Sequence, residues 1–340
     1  MRGWPGIQLD RVYWLRVGML AAGYVVAAKL GLALASHPAQ VTTVWPPSGI
    51  ALATLLVLGK QYWPGVFIGA FVANALTFEP LPVALGIAAG NTLEAVAAAF
   101  ALKQWAGFKN TFHSPADAGF FILAAGVSTV IAAVIGPVCL ALGGLVAWHE
   151  YTQVAVRWWQ GDFMGDILFG PLVLVYLMPS IFAEMRWRWL EAGLLLATLF
   201  AMTTYVFVHP EADNAFPYLI FPLLIWAATR FTQLGTVSAA LVIAVVAIWG
   251  TTNGLGPFSG YGDLNMNLLN LQVYLCVLSA TGLVLALAIA KRQAAESALR
   301  RQADQLERLE GELKEANQRM TNILEGVLDH DDGRRRGRHH

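Results

Sequence analysis

Long apolar runs separated by short polar connections dominate the chain as far as residue 290, and the pattern then changes. Apolar segments lie near 17–35, 47–59, 62–78, 82–102, 116–142, 153–178, 189–208, 216–229, 235–250 and 269–290. Runs of this length without strict alternation predict helices. A helix needs about 20 apolar residues to cross a bilayer, so the shorter segments read as tilted partners or half-helices. From Leu299 onward the apolar positions are Leu299, Leu306, Leu313, Met320 and Val327, interleaved with Gln302, Leu309, Ala316 and Ile323. That three-four spacing predicts a coiled coil whose seam is carried by Leu299, Leu306, Leu309, Leu313, Met320 and Ile323, with Gln302 as its polar position. A single amphipathic helix lying on a partner is the other reading. A seam with no further domain to cover it favours a homodimer.

The expected fold is therefore all-α. A polytopic transmembrane helical bundle of about ten spans occupies residues 12–290, a cytoplasmic coiled-coil helix follows over 291–328, and a disordered basic tail takes 329–340. Ala33-Leu34-Ala35 resembles a signal-peptidase site. Lys29 interrupts the run before it, and the run is long for a signal peptide, so it reads as a retained first helix. Composition agrees with membrane insertion: mean hydropathy is +0.55 and only 13% of residues are charged, against about 25% in soluble domains. The formal net charge is zero, and the basic residues are scattered, which argues against a nucleic-acid partner. Cys139 and Cys276 sit in apolar runs and suggest neither a disulfide nor a metal site, and no cofactor is expected.

Charge orders the connections. Lys60, Lys103 with Lys109, Arg186 with Arg188, Arg230, and Lys291 with Arg292 fall in every second one, on the side of Arg2, Arg11 and Arg16. The intervening connections carry His37, Glu79, His149, Glu150, His209, Glu211, Asp213 and Asp263 and no lysine or arginine. Since positive residues stay cytoplasmic, both termini are expected there. Arg157 and Lys29, near the outer ends of their helices, are exceptions that can snorkel.

Against this apolar background the polar positions stand out. Val156 to Leu172 reads VRWWQGDFMGDILFGPL and sets Asp162 and Asp166 on one side of a helix. A charge at mid-bilayer costs roughly 2.5 to 3.5 kcal/mol on insertion scales, so these carboxylates must face protein or water. Gly90-Asn91-Thr92-Leu93-Glu94 places Asn91 and Glu94 on a common face, and Asn74 closes the third segment. Trp45-Pro46-Pro47-Ser48-Gly49 opens the second segment, with the prolines tolerated at a helix start and Ser48 placed to cap it. Tyr62-Trp63-Pro64-Gly65 leads to Gly69, and the two glycines suit close helix contact.

Asn74, Asn91, Glu94, Asp162 and Asp166, with Trp158 and Trp159 beside them, then have two readings. One is interhelical hydrogen bonding that holds the bundle, at about 0.6 kcal/mol per bond. The other is a pocket for a ligand or an ion, and three carboxylates exceed what bundle packing requires. The outer histidines and acids, His149, Glu150, His209, Glu211 and Asp213, form a second candidate input for a cation or pH, or are solvated loop charges. No kinase ATP motif, phosphate-binding glycine loop or cyclase signature occurs. No enzymatic activity is expected of this chain, which reads as an input and a shaft without an output.

Five motifs carry a resemblance: Trp45-Pro46-Pro47-Ser48-Gly49-Ile50-Ala51, Tyr62-Trp63-Pro64-Gly65, Ala89-Gly90-Asn91-Thr92-Leu93-Glu94, Trp158-Trp159-Gln160-Gly161-Asp162 with Pro171, and Gly254-Leu255-Gly256-Pro257-Phe258. In order, over about residues 15–290, they resemble the membrane-associated sensor domain, type one, of bacterial signalling proteins. The resemblance implies a multi-pass input module of the bacterial inner membrane, of the kind found ahead of histidine kinase, diguanylate cyclase or PAS regions. The resemblance leaves the stimulus open, and a small-molecule stimulus and a membrane-protein partner are both expected candidates. The competing class is a secondary transporter, which also holds carboxylates at mid-membrane. A faint internal echo supports it, because Trp45–Asn74 and Phe221–Gly250 both run aromatic-proline, short helix, basic turn, helix. The cytoplasmic seam counts against it.

Overall fold

The computed structural model describes residues 10–33, 42–77, 80–177, 188–209 and 216–336. These form helices and no strand: α1 (Arg11–Ala33), α2 (Pro46–Leu58), α3 (Trp63–Ala75), α4 (Leu81–Gln104), α5 (Pro115–Leu142), α6 (Tyr151–Tyr176), α7 (Trp189–Val208), α8 (Phe221–Thr252) and α9 (Leu264–Arg336). Contacts divide the chain into one unit ending at Ile289 and a second beginning at Ala290.

Side-chain size is distributed as expected for a bundle solvated by lipid. On α5 the buried positions include Ala118, Ala125, Ser128, Ala132 and Gly136, while Leu123, Val127, Val130 and Val134 are exposed. Lipid is as apolar as leucine, so large aliphatic groups gain nothing by turning inward, and small residues let backbones approach. Among the described residues two large apolar cores result, beside a small cluster of Val83, Ile87 and Leu140 between α4 and α5. One gathers α1 to α4 with Phe108, Phe112 and Phe121, and the other gathers α6 to the start of α9 around Phe207. Helix α6 serves both, giving Met164 and Leu168 to the second and Leu174 and Val175 to the first.

Six helical stretches are long and apolar enough to cross a membrane, in α1, α4, α5, α7, α8 with its preceding turn, and α9. The ten segments read from the sequence exceed this for three reasons. Helices α2 and α3 have 13 residues each, about 20 Å at 1.5 Å per residue against a core of about 30 Å. Helix α6 is 26 residues long but carries Arg157, Asp162 and Asp166. The segments 216–229 and 235–250 fall within α8, whose helical geometry breaks at Thr232, with φ 48° and ψ −132°.

That break reverses the chain. A Cβ on Gly235 would stand 2.9 Å from the carbonyl oxygen of Ala227, whereas eight residues of straight helix separate α-carbons by about 12 Å. Glu191, at the start of α7, pairs with Arg230 just before the break at 2.7 Å. Phe207, at the other end of α7, lies against Gly250 and stacks on Phe258, and Tyr274 beside it donates to the carbonyl of Pro217. Both ends of α8 therefore lie beside one end of α7. The α2–α3 pair is also a helix–turn–helix, reversed through Gly59 and the 3-10 turn Lys60–Tyr62.

The basic connections gather at one end of this unit. Arg16 donates to the Tyr62 hydroxyl, Lys60 lies over the Phe100 ring, the Gln233 amide donates to the Phe112 carbonyl, and Arg188 donates to the Arg230 carbonyl. The opposite end holds Thr42 and Thr43, the start of α6 and the start of α9. Arg2, Arg186, His37, Glu79, Glu211 and Asp213 lie outside the described residues.

Helix α9 begins with Asp263, whose side chain accepts from the Met266 amide at 2.9 Å and from Asn265. The helix then continues without interruption to Arg336. The expected disorder of 329–340 is corrected by this for 329–336, which are helical. No proline stops the helix after Leu264, and each added residue of a formed helix gains a hydrogen bond at little cost. Residues 337–340 lie outside the described residues.

Candidate functional site

The site is built where the start of α2 lies against the middle of α6. Pro46 and Pro47 occupy the first two helical positions after Trp45. Their lack of N–H costs nothing there, since first-turn donors have no intrahelical acceptor. The Trp45 amide instead donates to the Gly161 carbonyl at 2.9 Å. Gly161 is ten residues into α6, about 15 Å along its axis, so α2 opens inside the bundle. Backbone meets backbone here. A Cβ on Gly161 would come within 2.7 Å of the Thr42 carbonyl oxygen, one on Gly165 would collide with the Trp45 carbonyl, and one on Gly49 would strike Gly165 and Gly170.

This approach brings the Ser48 hydroxyl to Asp162, donating to Oδ1 at 2.9 Å. Ser48 was expected to cap α2, but the capping position belongs to Trp45 and no side chain caps there. The two prolines push serine to the third helical position, from which it points across to α6. Asp162 and Asp166 are both 1% exposed and Glu94 is 2% exposed. Glu94 lies beside Ser48 and Asp162, and Trp158 lies beside Asp162. None of the three carboxylates forms a salt bridge among the described residues. Asp162 Oδ2, Glu94 Oε2, both Asp166 carboxylate oxygens and Asn91 Oδ1 have no hydrogen-bond partner.

Asn91 donates to the Tyr24 hydroxyl at 2.9 Å, linking α4 to α1. Tyr24 is fully buried and belongs to the cluster, yet it was not among the residues singled out from the sequence. The available signal was faint: a lone phenol in the apolar middle of α1. Gly65 and Gly69 hold α3 against α1, each within 2.9 Å of an α1 carbonyl were it to carry a Cβ, as their spacing predicts.

A cavity of about 40 Å³ lies against this cluster. Trp45, Asn74, Asn91, Trp158 and Asp162 line it, so four of the seven predicted pocket residues meet there, joined by Trp45 of the entry motif. Glu94 and Asp166 do not line it. Trp159 turns away, its indole donating to the Gly126 carbonyl of α5 at 2.9 Å while its ring stacks on Phe163. Asn74 donates to Ala70 within its own helix. A second cavity, of about 400 Å³, opens at the end of the bundle opposite the basic connections, bounded by Thr42, Thr43, Arg157, Gln160, Asp263 and Gln272 among others. Gln272 of α9 donates to the Thr43 carbonyl at 2.6 Å.

The last motif, Gly254 to Phe258, closes over the end of α7. Gly256 adopts φ +77°, and a Cβ there would lie 2.8 Å from Phe207. His149, Glu150 and His209 are exposed, and no group of three or more His, Cys, Asp or Glu among the described residues is arranged to hold a metal ion. On the second unit Leu299, Leu306, Leu309, Leu313 and Met320 are about 60% exposed, and the Ile323 side chain lies outside the described residues.

No curated protein and no solved structure matches the chain. A family model, MASE1, matches residues 16–293. That match spans the buried cluster, both cavities and every motif named above, so this multi-pass chain belongs to the MASE1 family of membrane-associated sensor domains found in signalling proteins.

Proposed function

We infer that this chain is the membrane-embedded input module of a bacterial signal-transduction protein. A stimulus reaching the Ser48–Asp162–Asn91 cluster alters how α2, α4 and α6 pack. Helix α9 carries that change to a paired coiled coil, and an effector of the kinase, cyclase or PAS class reads it. The chain supplies no catalytic group of its own. The module lies in the inner membrane with about ten helical segments, and the basic connections and both termini are cytoplasmic. Two copies pair through Leu299, Leu306, Leu309, Leu313, Met320 and Ile323.

The observation that supports this most is the course of α9. Its third turn holds the segment before α2, beside the cluster, through Gln272 and Thr43, and the same unbroken helix carries the exposed apolar seam. The test joins the chain to a reporter output and compares wild type with Asp162→Asn and Glu94→Gln. Expected is output that no longer responds to membrane or medium conditions, in variants that still insert and melt cooperatively. Output unchanged in both variants would overturn the reading.

A secondary transporter is the second reading, favoured by the two helix–turn–helix pairs, α2–α3 and α8, that echo one another in sequence. Liposome flux separates the two. Substrate-dependent uptake lost in Asp162→Asn would establish the carrier.

A further inference from the structure

We propose that the cavity against Asp162 is a binding site for one monovalent cation of sodium size. Every hydrogen-bonding side chain lining it apart from the two indoles carries an oxygen: Thr42, Asn74, Thr77, Asn91 and Asp162. Oxygen-only donor sets suit hard cations, whereas zinc, copper and iron favour imidazole and thiolate. Two of these oxygens are buried and unpartnered. Ser48 occupies Asp162 Oδ1 and leaves Oδ2 free, and Asn91 spends its amide N–H on Tyr24 and leaves Oδ1 free. Asn91 is 6% exposed and is not an acid, so the case does not rest on the carboxylates alone.

Charge and size set the valence. One carboxylate lines the cavity, because Glu94 and Asp166 stand outside it. A calcium site takes six to eight oxygens, usually with several carboxylates, whereas one carboxylate among neutral oxygens balances a single positive charge. A space of about 40 Å³ holds one such ion with a water or two. Helix direction agrees with this assignment. The α3 C-terminus borders the cavity through Ala73, Asn74 and Thr77, and the last carbonyls of a helix are its negative end.

An approach route is also present. The larger cavity at the end away from the basic connections shares Thr42 with this one, and Gln160 of its wall precedes Gly161 of the smaller. Met266, Leu269 and Gln272 of α9 line that larger cavity, so the ion's path borders the helix to which signal transfer was assigned above. The site deepens the sensory reading by naming its stimulus class, and the binding test below needs no signalling output.

Binding of radioactive sodium to the purified full chain in lipid nanodiscs, with competition by lithium, potassium and choline at constant ionic strength, tests the site directly. Expected is saturable binding that choline does not displace, accompanied by a higher melting temperature in sodium than in choline. Asp162→Asn should abolish it, and Ser48→Ala, which removes the group orienting Asp162, should weaken it about 10-fold. Asn91→Ala provides a second variant should Asp162→Asn fail to fold. No saturable binding to wild type, equal stabilisation by choline, or a melting temperature that follows pH and ignores sodium would each overturn the site, the last in favour of a proton. Sodium binding without any effect on reporter output would leave the site standing and count against the sensory reading.

Discussion

Ser48 shows how one hydroxyl decides what a buried carboxylate can do. It is the donor to Asp162 Oδ1, and an acceptor that loses its partner in a dry interior costs about 1–3 kcal/mol. Ser48→Ala is therefore expected to destabilise the protein by that amount in a reversible denaturant titration. Glu94→Gln and Asp166→Asn divide the two meanings of the acidic cluster. If these groups only hold helices together, stability falls and reporter output is unchanged. If they belong to the sensor, output changes more than the melting temperature does. Glycine substitutions separate packing from propensity. Gly165→Ala forces a methyl against the Trp45 carbonyl and is expected to cost about 1–3 kcal/mol. Gly23→Ala, which meets nothing within 4 Å, should be neutral or gain up to about 1 kcal/mol from helix propensity.

At the scale of elements, the helices were readable because composition and periodicity are local. The aromatic-proline entries at Trp45 and Trp63 marked the starts of α2 and α3, and the polar gap around Arg230 marked the turn in α8. The burial of Asn91, Glu94, Asp162 and Asp166 was readable too, since lipid cannot solvate them. Their partners were not. Ser48 was expected as a cap, Trp159 as a pocket wall, and Tyr24 drew no attention, because pairing across the bundle depends on which helices touch. The glycine column 161/165 of α6 chooses its neighbour through shape, and shape is not written in hydropathy. The α9 cap carries a prediction at this scale. The Met266 amide, and then Asn265, hold the Asp263 carboxyl below the usual carboxylate range. A lowered carboxyl pKa stabilises the fold above the unfolded value, and the benefit disappears as pH falls through the folded one. The melting temperatures of wild type and Asp263→Ala should therefore differ at neutral pH and converge in acid.

For the whole molecule, the exposed leucines beyond Ala290 predict pairing. With Cys139 and Cys276 replaced by alanine, Leu306→Cys is expected to cross-link between copies in native membranes on mild oxidation, and Glu310→Cys, off the seam, is not. Equal cross-linking at both positions would mean chance collision, and none at either would mean a single stalk. Within the membrane unit the α2–α6 contact has a mechanical consequence. Side chains between helices act as cushions, since rotamer hops absorb small displacements, but glycine-lined backbones have none to offer. The two helices must therefore travel as a stiff couple, and any give lies on the far flank of α6, where Trp158 and Trp159 rest on α5. The amide protons of Gly161 to Asp166 should accordingly be among the slowest in the unit to exchange with solvent, and the yielding surface during a response is the one lined by tryptophan.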